Sequence, residues 1–182
     1  MERTLRARFW LMASLVVGVA IMRIIPHPPN FAPVAAMALF GGAHFDRRGW
    51  AFVVPLAAML LGDAVLELLF GWGFHALMPV VYVSFAAIVS LGFLLRRRRR
   101  FVPVAAVALA GSTLFFLTTN FGVWAQGSLY PRAAAGLAAC YAAAVPFFGA
   151  TVAGDLFYTA LLFGAFALAE RRFATLALPK TA

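Results

Sequence analysis

The sequence predicts an all-α fold: a polytopic membrane helical bundle of six transmembrane helices plus one short re-entrant or interfacial helix. Of the 182 residues, 64% are hydrophobic and only 12% are charged, whereas soluble domains average about half apolar and a quarter charged residues. Five consecutive arginines, Arg96 to Arg100, separate two apolar stretches, each about twenty residues long and therefore able to span a bilayer. Such a cluster must remain in water, and the positive-inside rule assigns it to the cytoplasm. The length suits one integral membrane domain, residues 1–182.

Apolar runs and the charges and prolines that flank them predict six spans, roughly at residues 9–25, 31–45, 49–71, 76–95, 101–119 and 147–169. The first span follows three arginines, is longer than the apolar core of a signal peptide and is not followed by a small-residue cleavage site. We therefore expect it to remain as a helix, which Pro28 and Pro29 end because proline stops helices. The second span is short, the arginine run separates the fourth from the fifth, and Glu170 follows the last.

The region between Arg132 and Ala169 is nearly continuously apolar. As a single helix it would be about 56 Å long, well beyond the roughly 30 Å of bilayer hydrocarbon. Pro146 divides the region, so we predict a separate short helix at 133–145. Irregular or non-spanning backbone at this depth is tolerated where it lines a cavity or is buried in protein.

The distribution of cations decides how many times this region crosses the membrane. With six spans, 13 Lys and Arg residues lie on one side and only Arg23 and Arg132 on the other, whereas a seventh crossing gives 10 and 5. We therefore predict a multi-pass protein of the cytoplasmic (inner) membrane with both termini in the cytoplasm. A weak internal repeat argues for seven crossings, since Gly62-Asp63 recurs as Gly154-Asp155 and repeats are common in transporters. The charge distribution outweighs it.

Several function classes are not expected. The formal charge of +9 comes from cations that bracket apolar spans, so we predict no nucleic-acid partner. His27, His44 and His75 fall on different sides of the predicted membrane, and no Cys/His spacing fits a zinc site. We therefore expect no metal and no cofactor. Motifs for a nucleophile or a phosphate loop are also missing, so we do not expect an enzyme.

Asp63, Glu67 and Asp155 are the only carboxylates within predicted spans. A charge at the centre of a membrane helix costs about 2.5–3.5 kcal/mol, so such residues usually face a cavity or a partner. An alternative is that they only fix helix packing, with Arg23 as the candidate ion-pair partner. Glu67 lies nearer a helix end, where it can simply reach water.

The predicted topology brings the polar and aromatic groups together at the outer face. The loops with Asn30 and Asn120 are external, and Asp63 and Asp155 lie in the outer halves of their spans. Trp and Tyr are also common at membrane interfaces, but that preference does not explain the two asparagines. The predicted substrate-binding residues are Asn30, Phe31, Asp63, Asn120, Phe121, Trp124, Asp155 and Tyr158.

Several short motifs resemble an uncharacterised family of bacterial proteins assigned to transport, which is similar to the substrate-binding S components of energy-coupling-factor (ECF) transporters. The matching stretches include Pro29-Asn30-Phe31-Ala32-Pro33, Thr119-Asn120-Phe121-Gly122-Val123-Trp124, Pro146-Phe147-Phe148 and Gly154-Asp155. The resemblance implies a vitamin-like substrate near the outer face and an ATPase-coupled energy-coupling module as partner. S components often dock that module through an Ala-x-x-x-Ala face, where this chain has only Ser14-x-x-x-Gly18.

These observations predict binding and uptake of a small organic micronutrient across the cytoplasmic membrane. The lipid bilayer and the small-molecule substrate are then the obligatory partners. The expected ligand is flat, neutral to cationic and rich in nitrogen, because the outer face offers carboxylates and aromatic rings but few cations for a polyanion. The alternative is a structural or accessory membrane protein without transport activity. A cavity lined by the asparagines and carboxylates favours binding, whereas paired carboxylates without a cavity favour the structural role.

Overall fold

The computed structural model describes residues 2–176 as a bundle of six α-helices. Two short 3-10 turns, Phe93–Leu95 and Ala174–Leu176, follow the fourth and sixth helices. Five helices are long and apolar enough to cross a membrane, which confirms the predicted all-α membrane bundle. The helices are α1 (Glu2–Ile21), α2 (Val34–His44), α3 (Arg48–Phe70), α4 (Met78–Gly92), α5 (Phe101–Gln126) and α6 (Ala134–Arg172).

Successive helices run in opposite directions, so the cationic segments gather at one end of the bundle. The side chain of Arg8 in α1 donates hydrogen bonds to Glu170 at 2.5 Å and to the carbonyl of Leu176 at 2.6 Å. This contact joins the start of α1 to the end of α6. We call this the arginine-rich end; it also contains the connections 45–47 and 96–100. Lys180, which was counted with these cations, lies outside the described residues.

The predicted break at Pro146 is wrong. Residues 133–145 form neither a re-entrant helix nor a separate crossing, because 134–145 and the last span belong to one 39-residue helix, α6. Proline removes one backbone hydrogen bond, but membrane helices often carry it without ending. Pro146 is exposed on the bundle surface, where its ring displaces no other helix. At 1.5 Å per residue α6 is about 58 Å long, nearly twice the hydrocarbon thickness.

The short helix α2 forms the core of the bundle. Ten of its 11 residues are buried, and it contacts all five other helices. Its closest approach is to α4, where a Cβ on Gly42 would overlap the carbonyl of Val89, and a Cβ on Gly92 would lie 2.5 Å from the carbonyl of Leu39. Small residues at both positions let the two backbones meet, as at many membrane helix interfaces.

Both ends of α2 lie inside the bundle, so its terminal backbone groups need partners from other segments. At its C-terminal end, Arg96 donates to the carbonyls of Gly42 at 3.1 Å and Phe45 at 2.8 Å. Arg99 donates to the carbonyl of Ala43 at 3.0 Å. Positive charge is favourable at a helix C-terminus because of the helix dipole. Part of the arginine run therefore holds α2 in place, a role that the sequence did not predict.

Candidate functional site

A cavity of about 220 Å³ lies near the end of the bundle opposite the arginine-rich end. The connection between α1 and α2 contributes to it, together with the N-terminal turn of α2, the loop 71–77 and helices α3 to α6. Its lining residues are Arg23, Asn30, Ala32, Val34, Ala35, Met59, Asp63, His75, Met78, Val81, Tyr82, Phe115, Thr151 and Asp155.

Asp63 lies in the cavity wall with both carboxylate oxygens occupied. Arg23 donates to Oδ1 at 2.6 Å, and the Tyr82 hydroxyl donates to Oδ2 at 2.7 Å. The side chains of Arg23 and Asp63 are only 13% and 6% exposed. A buried carboxylate needs such partners to offset its lost hydration. The pair is electrically neutral as a whole, and it is the ion pair with Arg23 that the alternative role in helix packing requires.

Asp155 lies across the cavity on α6 and is buried to 1% exposure. Its Oδ1 accepts the backbone N–H of Ala35 at 3.1 Å, and its Oδ2 accepts the Ser112 hydroxyl at 2.7 Å. Ala35 is in the first turn of α2, so Asp155 supplies an acceptor oxygen to one of the backbone N–H groups that a helix N-terminus leaves unpaired. The carboxylate thus caps α2 at the end opposite Arg96 and Arg99.

Glu67 anchors the loop 71–77 rather than lining the cavity. Its Oε2 accepts the backbone N–H of Phe74 at 2.9 Å. Gly73 lies so close to the α3 backbone that a Cβ there would overlap the carbonyl of Asp63. These two contacts fold the loop back over the end of α3 and place His75 in the cavity wall.

A second cavity of about 180 Å³ shares Asn30, Phe115 and Thr151 with the first. Its remaining lining is Phe116, Thr119, Asn120, Ala144, Phe147 and Phe148. Asn30 has a positive φ of 63°, a conformation that asparagine tolerates better than most residues. Asn30 makes no side-chain hydrogen bond within residues 2–176, whereas the Asn120 amide donates to the carbonyl of Phe116 at 2.8 Å. The shared residues make the two cavities neighbouring compartments of one polar and aromatic region.

The structure brings together four of the eight predicted site residues. Asn30, Asp63 and Asp155 line the first cavity, and Asn120 lines the second.

The other four predicted residues are aromatic and line neither cavity. The rings of Phe31 and Tyr158 pack against each other at 5.7 Å. Phe121 lies 5.3 Å from Trp124 and lines a separate apolar groove between α4, α5 and α6. The Trp124 indole donates to the carbonyl of Pro131 at 3.0 Å and so closes the connection between α5 and α6.

Sequence reasoning missed Tyr82 and His75 in the first cavity. Tyr82 lies in an apolar span, where one hydroxyl gives a weak signal because a tyrosine is also common at interfaces. His75 lies in the loop after α3, and nothing in the sequence indicates that contacts of Glu67 and Gly73 fold this loop over the end of α3. Within residues 2–176, no group of three or more His, Cys, Asp and Glu side chains is placed to hold a metal ion.

Comparison with protein families gives one match. The DUF6580 model, described as a family of unknown function, matches residues 3–178. The chain belongs to the DUF6580 family. Comparisons of this DUF6580 chain with curated proteins and with solved structures found no match. The family has no assigned function, so the cavity is the feature of this DUF6580 protein that indicates one.

Proposed function

We propose that the protein binds a small organic micronutrient in the two-compartment cavity and takes part in its uptake across the cytoplasmic membrane, in the manner of an ECF S component. The observation that carries the proposal is a cavity lined by Asn30, Asp63 and Asp155 inside a membrane bundle. Concave sites with a few convergent polar groups are the usual form of small-molecule sites. The resemblance described above supports the comparison with S components.

The size and charge of the cavity favour a compact ligand. The first compartment, at about 220 Å³, holds roughly seven water molecules at about 30 Å³ each. Arg23 is engaged by Asp63, so it offers little to a phosphate or a second carboxylate. The free amide of Asn30 and the imidazole of His75 offer hydrogen bonds, and Phe115 offers a ring face. A flat, neutral-to-cationic, nitrogen-rich molecule fits these groups.

The proposed direction of uptake follows from the charges. The positive-inside rule puts the arginine-rich end in the cytoplasm, and the cavity then lies near the outer surface, with both termini inside. An ATPase-coupled partner would meet the inner half of the bundle. Gly18 on α1 is exposed and has no heavy atom near its Cβ direction, and Ser14 on the same face is also exposed. This face is open, but it lies in the outer half of α1, away from the inner surface that such a partner would meet.

A structural or accessory role is the second candidate. It is favoured by the observation that Asp63 and Asp155 both have hydrogen-bond partners within the bundle. In that case the carboxylates serve only to fix α2 and α3.

A ligand screen with a matched pair of variants separates the two candidates. Thr151→Phe fills the region shared by both compartments, whereas Thr113→Phe makes the same change at an exposed position on α5. Thermal-shift measurements on purified protein, with a panel of heterocyclic micronutrients and polyanions, should find a ligand that stabilises wild type and Thr113→Phe but not Thr151→Phe. Failure of every compound to stabilise wild type, or equal binding by both variants, would support the structural role.

A further inference from the structure

The five consecutive arginines divide into two groups with different surroundings. Arg96 and Arg99 turn inward and donate to backbone carbonyls at the end of α2. Arg97, Arg98 and Arg100 are exposed, and their guanidinium groups have no hydrogen bond or ion pair to any residue in 2–176. These three side chains border an open depression of about 870 Å³. We call them the free arginines.

The residues beside the free arginines indicate their depth in the membrane. Leu94 is 68% exposed, Phe101 is 82% exposed and Val102 is 73% exposed. In a membrane bundle, apolar side chains on the outside face lipid chains rather than water. The free arginines lie between Leu94 and Phe101 in the chain, so their guanidinium groups lie at the boundary where lipid phosphates are found.

The charge around the free arginines is strongly positive. Twelve arginines and only three acidic residues, Glu2, Asp46 and Glu170, lie at the arginine-rich end of residues 2–176. Two of the acidic residues are already paired, Glu2 with Arg6 and Glu170 with Arg8. None of the three acidic residues, Asp46 included, forms an ion pair with a free arginine within residues 2–176.

We propose that Arg97, Arg98 and Arg100 form a binding site for the headgroups of anionic phospholipids. Guanidinium groups bind phosphate oxygens through paired, charge-assisted hydrogen bonds. Basic clusters immediately beside a membrane helix are attracted to anionic lipids, by about fivefold in affinity for each residue. An acidic protein partner would satisfy the same charges, but the flanking exposed apolar residues place this cluster against lipid.

The test compares two triple variants that remove the same charge from the same end of the bundle. Arg97→Gln/Arg98→Gln/Arg100→Gln removes the free arginines. Arg3→Gln/Arg171→Gln/Arg172→Gln is the matched control, with exposed arginines on α1 and α6. Native mass spectrometry would measure how much phosphatidylglycerol each protein retains from mixed micelles with phosphatidylcholine. Size-exclusion profiles and melting temperatures confirm that both variants fold.

We expect the first variant to retain at least tenfold less phosphatidylglycerol than wild type, while the control retains nearly as much as wild type. Equal losses in both variants would show a general charge effect and overturn the proposal. Unchanged retention in the first variant would also overturn it. So would co-purification of an acidic protein through these arginines without any preference for phosphatidylglycerol.

Discussion

At the residue scale, Asp155 both fixes the position of α2 and lines the cavity. One oxygen caps the N-terminus of α2 and the other binds Ser112, while the side chain also forms part of the cavity wall. Any change at Asp155 therefore acts on both helix position and cavity shape. Replacements that keep the hydrogen bonds of Asp155 should change mainly the cavity, whereas replacements that lose them should also disturb the position of α2.

The stability of variants at Asp155 should depend on how many of its two hydrogen bonds the new side chain can still make. Asparagine retains an oxygen for the Ala35 N–H and an amide for the Ser112 hydroxyl, so Asp155→Asn should lower stability only slightly. Asp155→Ala leaves a buried N–H without a partner, which costs about 1–3 kcal/mol. Melting temperatures in detergent should fall in the order wild type, Asn, Ala. If alanine is as stable as asparagine, the capping role assigned to Asp155 is incorrect.

Asp155→Asn should also weaken ligand binding or uptake while the protein remains folded and inserted. The reason is that a carboxylate in the wall of the proposed site is replaced by a neutral group. Uptake normalised to the amount of membrane-inserted protein measures this effect. Poor accumulation combined with normal binding per folded molecule would identify Asp155 as a packing residue only.

The Arg23–Asp63 pair should respond differently to single and double replacement. Asp63→Asn leaves a nearly buried guanidinium without its counter-charge, and breaking one partner of a buried pair costs about 3–5 kcal/mol. The double variant Arg23→Gln/Asp63→Asn removes both charges and should be more stable than Asp63→Asn. A double-mutant cycle on the free energy of unfolding gives the coupling directly. Strictly additive effects would contradict the ion pair.

Half of the candidate site was predictable because charged and amide groups are expensive within apolar spans. That argument found Asp63 and Asp155, and the predicted topology placed Asn30 and Asn120 near them. It failed for Phe121 and Trp124, because aromatic residues are favourable in lipid contacts and in loop packing as well as in binding sites. The roles of Tyr82 and Ser112 as donors to the two carboxylates are evident only in the structure. A single hydroxyl costs little in an apolar span, so its presence in the sequence does not indicate a site.

At the scale of elements, α2 shows why span prediction and structure diverged. Its boundaries differ little from the predicted span 31–45, but its 11 residues measure only about 17 Å and cannot cross the hydrocarbon alone. The apolar pattern of the sequence predicts that α2 is buried. Its central position in the bundle depends on Gly42 and Gly92, which let the α2 and α4 backbones meet, and the pattern does not reveal this contact. For α6 the error was to expect that Pro146 ends a helix. Proline inside a membrane helix is often tolerated, and α6 continues through it.

Glycine replacements should test this packing with an internal control. Gly42→Ala places a Cβ against the α4 backbone and should destabilise the bundle, because neither backbone can move away from the other without disturbing the core. Gly164→Ala adds a Cβ in open space on α6 and should be neutral or stabilising by up to about 1 kcal/mol, since alanine is the better helix former. Equal melting temperatures for the two variants would refute the close α2–α4 contact.

At the scale of the whole molecule, the structure joins the first and the last helix through Arg8 and Glu170. This places the start of α1 and the end of α6 on one side of the bundle, as the predicted topology requires. The predicted topology depends on the cations, whose positions are evident in the sequence because lipid tolerates so few of them.

Labelling of single cysteines should show which side is cytoplasmic. In a variant whose buried Cys140 is replaced by alanine, a cysteine at Ser128 should react with a membrane-impermeant reagent in intact cells. A cysteine at Ala174 should react only after the membrane is permeabilised, because the positive-inside rule assigns that end to the cytoplasm. The opposite pattern would invert the proposed direction of uptake.

The capping of α2 has a consequence for biogenesis. The chain makes α2 early, but its C-terminal cap at Arg96 is 54 residues from Gly42, and its N-terminal cap at Asp155 is 120 residues from Ala35. The central helix therefore emerges from the ribosome long before its polar ends can be satisfied. Until α6 is made, α2 must remain with water, with lipid headgroups or with the insertion machinery. Final assembly is thus delayed until α6 has been synthesised, and nascent chains that stop before Asp155 should be recognised by quality-control proteases as unfinished.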